Sequence, residues 1–237
     1  MAPFFATRYQ VNAPGTGAKE HPHLKPADDP TIDYKTLVRQ GYDLCAAAYQ
    51  QSRQTEAHPE LAWLTSRLED GATVLDVGCG TGVPIARDLA QLFVVTGVDI
   101  SSEMIQRARS NLPQGRFIHG DIMSVEFPPS SFDAAVAFYS VFHLPREEHR
   151  ELFRRIHRWL KPHGYLLVTL TSSGEEAYTE NFHGVTMYWS NYGLDDYREI
   201  LAETGFTLLE TSAIGHGYTQ EHQGEDEHHP IVLARKK

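Results

Sequence analysis

Between positions 73 and 82 the chain reads Thr-Val-Leu-Asp-Val-Gly-Cys-Gly-Thr-Gly, with glycines at 78, 80 and 82 and an acid, Asp76, just before them. Glycine lets the backbone turn sharply and leaves main-chain atoms open to a ligand with no Cβ in the way. Val74, Leu75 and Val77 read as a short buried strand, and Pro84 suits the first turn of a following helix, where its missing N–H would be unpaired anyway. A glycine loop at the carboxyl end of such a strand marks a small-molecule pocket. A dinucleotide fingerprint needs Gly-x-Gly-x-x-Gly, but Val83 or Ile85 stands at its third glycine, depending on the register. The Gly-Lys-Ser/Thr ending of a phosphate loop is also absent.

Further along, other side chains with chemistry follow apolar strand-like runs. Asp99 closes the run 93–98, where a carboxylate accepts both hydroxyls of a ribose, an arrangement that would also suit NAD. Asp121 follows the run 117–119 in Gly120-Asp121-Ile122. There it would accept from an adenine amino group, while Ile122 covers the ring face. Tyr139, Phe142 and His143 follow the fourth run, 132–139, on the side where a second substrate must approach. Histidine titrates near neutrality and could take a proton from a hydroxyl or thiol.

The pattern Asp-x-Gly-x-Gly-x-Gly over 76–82 resembles the first motif of the class I S-adenosylmethionine-dependent methyltransferases, in their small-molecule branch. That resemblance implies that Asp76 lies near the cofactor's amino group. It also implies that Gly78, Cys79 and Gly80 pass under the methionine and ribose. Val98-Asp99-Ile100-Ser101-x-x-Met104 is similar to the same family, with Ile100 and Met104 walling the adenine; Ser101 also suits the cap of a helix over 103–111. Phe138 and Ser140, at the end of the fourth strand, are cofactor neighbours by the same likeness. Gly41-Tyr42-Asp43 with Ala46, Tyr49 and Arg53 resembles an N-terminal lid whose Tyr42, Tyr49 and Arg53 touch the cofactor. The alternative is a surface helix with core tyrosines. Phe182-His183-Gly184-x-x-Met187-Tyr188-Trp189-Ser190 looks like an insert of one branch of the family. It makes Met187, Tyr188 and Trp189, with Tyr139, Phe142 and His143, a substrate wall; a cover over the sheet edge is the other reading. His163, in Leu-Lys-Pro-His-Gly, departs from the family's more usual glycine.

The elements needed to position these residues follow from periodicity. Helical spacing begins at Thr31 and is interrupted by Gly41, and a second helix carries Leu61, Leu64 and Leu68. Helices are expected over 85–92, 103–111, 146–160 and 195–204, with a break at 161–164 before a fifth strand at 165–170. Strands at 206–211 and 230–234 should pair as a terminal antiparallel hairpin. The expected fold is α/β, a Rossmann-like doubly wound, mostly parallel sheet in three α/β/α layers. A flexible arm over 1–30 would precede one domain over 31–237, with a helical lid at 31–56 and an irregular aromatic substrate insert at 172–193.

At 237 residues, 41% hydrophobic and 11% aromatic, the chain suits one such globular domain. A net charge of −10 argues against a nucleic-acid partner, and no apolar run is long enough to span a membrane. Two distant cysteines, Cys45 and Cys79, make no disulfide framework, so a cytoplasmic setting is the default. His216, Glu221, His222, Glu225, Asp226, Glu227, His228 and His229 fit no compact ligand motif, and no metal is assigned to them. The expected activity is methyl transfer from S-adenosyl-L-methionine to an O, N or S atom of a small-molecule metabolite. S-adenosyl-L-homocysteine would be the product, and the enzyme a monomer or homodimer. A cofactor-binding regulatory or partner subunit and an NAD-dependent oxidoreductase are the rivals.

Overall fold

Strand β1 (Thr73–Val77) lies inside the main sheet, buried from Val74 onward. It pairs in parallel with β2 (Val94–Asp99) on one side and β4 (Phe132–Ala137) on the other. The computed structural model describes residues 33–53, 56–214 and 229–237. The expected arm at 1–30 and the acidic, histidine-rich segment up to position 228 lie outside the described residues.

Seven strands run in the order β3-β2-β1-β4-β5-β9-β8, where β3 is Arg116–His119, β5 Leu160–Thr169, β8 Phe206–Ile214 and β9 His229–Lys236. The first five are parallel, and β9 is antiparallel to both β5 and β8, as expected of the terminal hairpin. Helices α2 (Ala62–Thr65), α3 (Ile85–Leu89) and α4 (Ser102–Asn111) bury Leu64, Leu89 and Ile105 against one face. Helices α5 (Arg146–Trp159) and α6 (Leu194–Glu203) bury Phe153, Trp159 and Tyr197 against the other. This is the three-layer, doubly wound fold the sequence implied.

Several boundaries differ, each for a local reason. β4 stops at Ala137 rather than 139 because Tyr139 takes φ +54, which turns the chain away from the sheet. Positions 161–164 do not break the chain after α5; they bulge within β5, opposite Asp133, between the pairs Phe132–Leu160 and Ala134–Tyr165. His163 occupies φ +65 there, a conformation suited to glycine. α3 ends at Leu89, three residues early, and the second helix is a 3₁₀ turn (Pro59–Leu61) leading into the single-turn α2.

The larger correction concerns 172–193, expected to be irregular. It forms a regular hairpin, β6 (Glu175–Phe182) and β7 (Val185–Asn191), as a separate two-stranded sheet. Helix α1 (Tyr34–Arg53) lies on it, with Val38, Met187 and Tyr188 buried in a small third core. Gly41 does not interrupt α1. A Cβ there would stand 2.9 Å from Met187 Cε and 3.3 Å from the Thr186 carbonyl, so this glycine permits helix and hairpin to approach closely.

Candidate active site

The carboxyl ends of β1, β2 and β4 open into a cleft of about 730 Å³, roofed by Tyr34, Lys35, Val38, Tyr42 and Tyr49 of α1. Such a crevice forms where crossovers leave a central strand in opposite directions, here at β1. A smaller recess of about 360 Å³ adjoins it through Tyr49, Gly78, Gly80, Phe138 and Tyr139, and is also lined by Arg53, Asp76 and Cys79. Every residue assigned to the cofactor from sequence lines one or both of these spaces.

The loop glycines divide their tasks. At Gly78, φ +73, a Cβ would fall 2.3 Å from Ser140 Cβ, so its missing side chain makes room for Ser140 rather than for a ligand. Ser140 in turn donates to the Val77 carbonyl at 2.6 Å, tying the end of β4 to β1. Gly80, φ +51, has only Tyr49 Cε1 at 3.8 Å before it and leaves its backbone open to the cleft.

Asp99 accepts from the Gly80 N–H at 2.8 Å and the Ser101 N–H at 2.9 Å, one per carboxylate oxygen. Each oxygen keeps a further lone pair. Burial pushes its carboxyl up to about 6 against the pull of those two N–H groups. Asp76 is buried with no such compensation: its Oδ2 has no hydrogen-bond partner among the described residues. Burial, then the nearby Asp99 charge, raises it to about 8. The same recess holds Arg53, paired with Glu56 at 2.7 Å and stacked 4.3 Å above the Tyr139 ring. An unpartnered acid and a guanidinium therefore line one pocket. Asp121 is already engaged, accepting from Lys35 Nζ at 2.6 Å and from the Met123 N–H at 2.9 Å.

His143 lines the cleft, but the expectation of a free base near neutrality is corrected. Its Nδ1 meets the Tyr188 carbonyl at 2.8 Å and its Nε2 meets the Tyr42 hydroxyl at 2.7 Å. Burial lowers its pKa to about 4. Of the expected substrate wall, Tyr139 lines the cleft, whereas Phe142, Met187, Tyr188 and Trp189 do not. Met187 and Tyr188 are buried beneath α1, and Trp189 stands behind His143 with ring centres 5.6 Å apart.

Sequence reading missed Tyr34, Lys35, Val38 and Leu144, all of which line the cleft. Tyr34 and Val38 were recoverable, since they precede Tyr42 at four-residue steps on the same helix face. Asp43 was missed too: its Oδ1 accepts from Ser101 Oγ at 2.7 Å and from the Glu103 N–H at 3.1 Å, joining α1 to the start of α4. Ser101 accepts from the Met104 N–H at 3.1 Å and is the helix cap expected. No group of three or more metal-ligating side chains occurs among the described residues, and no described helix is long and apolar enough to cross a membrane.

Residues 74–164 match the model of a methyltransferase domain. The chain is 33% identical over 159 residues to a sterol 24-C-methyltransferase of Gibberella zeae, covering 56% of this chain and 41% of that one. It is 32% identical over 154 residues to the 27-O-demethylrifamycin SV methyltransferase of Amycolatopsis mediterranei, covering 58% and 55% respectively. The chain thus spans about half the length of these curated relatives. In fold it is similar to a Burkholderia thailandensis 1,6-didemethyltoxoflavin-N1-methyltransferase, with TM-score 0.66, 21% identity, and 96% and 93% of the two chains covered.

Proposed function

We propose that this chain, whose residues 74–164 match a methyltransferase domain, transfers a methyl group from S-adenosylmethionine to an oxygen, nitrogen or sulfur atom of a small molecule. The observation that carries this reading is the recess shared by Asp76 and Arg53, opening into the cleft lined by Gly80, Asp99, Ile100 and Asp121. An amino acid joined to a nucleoside fits that shape and charge. Its ammonium belongs beside the orphaned Asp76 oxygen and its carboxylate beside Arg53. The diphosphate of NAD would place negative charge against Asp76, which disfavours the oxidoreductase reading.

When bound, the cofactor supplies a methyl group already activated by positive sulfur. The protein's part is to hold donor and acceptor in line and keep water out. Asp99 offers its remaining lone pairs to the ribose hydroxyls, and Asp121, if it shares Lys35, receives the adenine amino group. Tyr34, Val38, Tyr42 and Tyr49 of α1 cover the site as a lid, and their apolar, aromatic faces suit a bulky apolar acceptor. A sterol and a rifamycin, named for two relatives, belong to that chemical class. The acidic net charge of −10 supports a metabolite over a nucleic acid.

Calorimetry with S-adenosylhomocysteine and with NAD tests the reading, with binding expected only for the first. Binding of NAD alone would sink it. Incubation with methyl-labelled S-adenosylmethionine and a panel of phenols, alcohols, thiols and amines should then yield the demethylated cofactor. A regulatory subunit would bind it and release none.

A further inference from the structure

We infer that Tyr42, rather than His143, is the group that takes the acceptor's proton, with His143 as the store behind it, so that docking of α1 assembles the base. The inference rests on the methyltransferase reading above and specifies how an oxygen acceptor is deprotonated.

The hydrogen bonds fix the roles. A backbone carbonyl only accepts, so the Tyr188 oxygen 2.8 Å from Nδ1 requires the hydrogen to be on Nδ1. In the neutral ring Nε2 is then a lone pair, and the Tyr42 hydroxyl 2.7 Å away must donate to it. With both nitrogens occupied, an acceptor hydroxyl reaches His143 only by displacing Tyr42. Tyr42 itself lines the cleft, and its phenol oxygen, though donating to Nε2, keeps lone pairs that an acceptor hydroxyl can meet without displacing that bond. The rings are held edge to face, 5.2 Å apart, between Tyr49 and Phe182 on one side and Trp189 and Phe142 on the other. Burial keeps the imidazole neutral and the phenol protonated, the starting state the relay needs.

The step balances within the site. The acceptor oxygen forms the new O–C bond, and the S–C bond breaks with its electron pair going to sulfur. The acceptor's proton passes to Tyr42 Oη as Tyr42's own proton passes to His143 Nε2. The imidazolium so formed returns its proton to water when α1 lifts. Because Tyr42 belongs to α1 and His143 to the turn after β4, the relay exists only in the closed, water-excluded arrangement.

The test uses the full chain, with Tyr42→Phe, His143→Gln and the double variant checked for folding by thermal melting. Phenylalanine keeps the ring contacts and removes only the hydroxyl; glutamine can accept from Tyr42 and donate to Tyr188 but cannot hold the proton. Nitrogen NMR of the S-adenosylhomocysteine-bound protein should show His143 as the neutral Nδ1–H tautomer from about pH 6 to about pH 8, with Nε2 shifting in Tyr42→Phe. For a phenol that the wild type methylates, each single variant should lose about 100-fold in turnover. The double variant should lose no more than either, because the two act as one unit. Affinity for S-adenosylhomocysteine should change far less. An Nε2–H tautomer, full turnover in Tyr42→Phe, or additive losses would each overturn the relay. So would a wild type that methylates thiols or amines but no hydroxyl. Failure of the wild type to bind S-adenosylhomocysteine would instead remove the methyltransferase reading beneath it.

Discussion

Asp76, buried, and Asp99, half-buried, stand in the same site but differ in their partners, and that difference decides what each substitution should do. Asp99 satisfies two backbone donors, at Gly80 and Ser101, besides the ribose it is proposed to hold. Asp99→Ala should therefore weaken S-adenosylhomocysteine binding by about 1.5–3 kcal/mol, the scale of a charge-assisted hydrogen bond, and lower the melting temperature as well. Asp76 satisfies no donor through Oδ2 and is mostly protonated at neutral pH. Asp76→Asn should leave the melting temperature nearly unchanged at pH 7 while costing affinity, since the amide cannot supply the negative charge the ammonium calls for. Paired calorimetry and melting on both variants checks this. Equal loss of stability in the two would mean that Asp76 has a structural partner after all.

Helix α1 and the β6–β7 hairpin stand or fall together. Val38, Met187 and Tyr188 form their shared core, and Gly41 sets the distance between them. Glycine inside a helix costs about 1 kcal/mol relative to alanine, so its presence in α1 reflects the close approach of β7. Gly41→Val should overfill that contact and destabilise the pair by about 1–3 kcal/mol. Hydrogen exchange should then rise in both 34–53 and 185–191 but not in β1 or β4. Exchange confined to α1 would show that the hairpin does not depend on the helix. This coupling also marks the limit of what sequence discloses. The glycine loop, Asp99 and Ser101 were legible because strand, turn and cap are local events with short-range signatures. Gly41 read as an interruption because its reason, Met187, is remote in sequence. The hairpin read as irregular because its aromatics pack against α1 rather than alternating about a solvent face. His143 read as a free base because neither the carbonyl of Tyr188 nor the hydroxyl of Tyr42 has any signature near it.

Across the whole molecule, burial moves Asp76 and Asp99 up and four histidines down, and the two effects act oppositely on stability. His143 and His149 are lowered to about 4, and His157 and His183 are lowered as well. Below about pH 6.5 the unfolded chain binds protons that these folded histidines refuse, so they subtract stability as the pH falls. Asp76, raised to about 8, and Asp99, raised to about 6, hold protons in the fold that the unfolded chain has lost above about pH 4, so they subtract stability as the pH rises. Between about pH 4 and about pH 6 the two sets push the slope of the ligand-free protein in opposite directions. Above about pH 7.5 the histidines are neutral in both states and Asp99 is ionised in both, which leaves Asp76. Raising the pH from about 7.5 to about 8.5, through the folded titration of Asp76, should therefore lower stability by on the order of 1 kcal/mol or less. Urea unfolding across that window should show the decline in the wild type and a flat line in Asp76→Asn. S-adenosylhomocysteine should remove the decline, because an ammonium beside Asp76 favours the carboxylate; calorimetry in buffers of different ionisation enthalpy should accordingly register a proton released on binding at pH 7. Stability that rises with pH over this window would exclude a neutral, unpartnered Asp76, and with it the ammonium site.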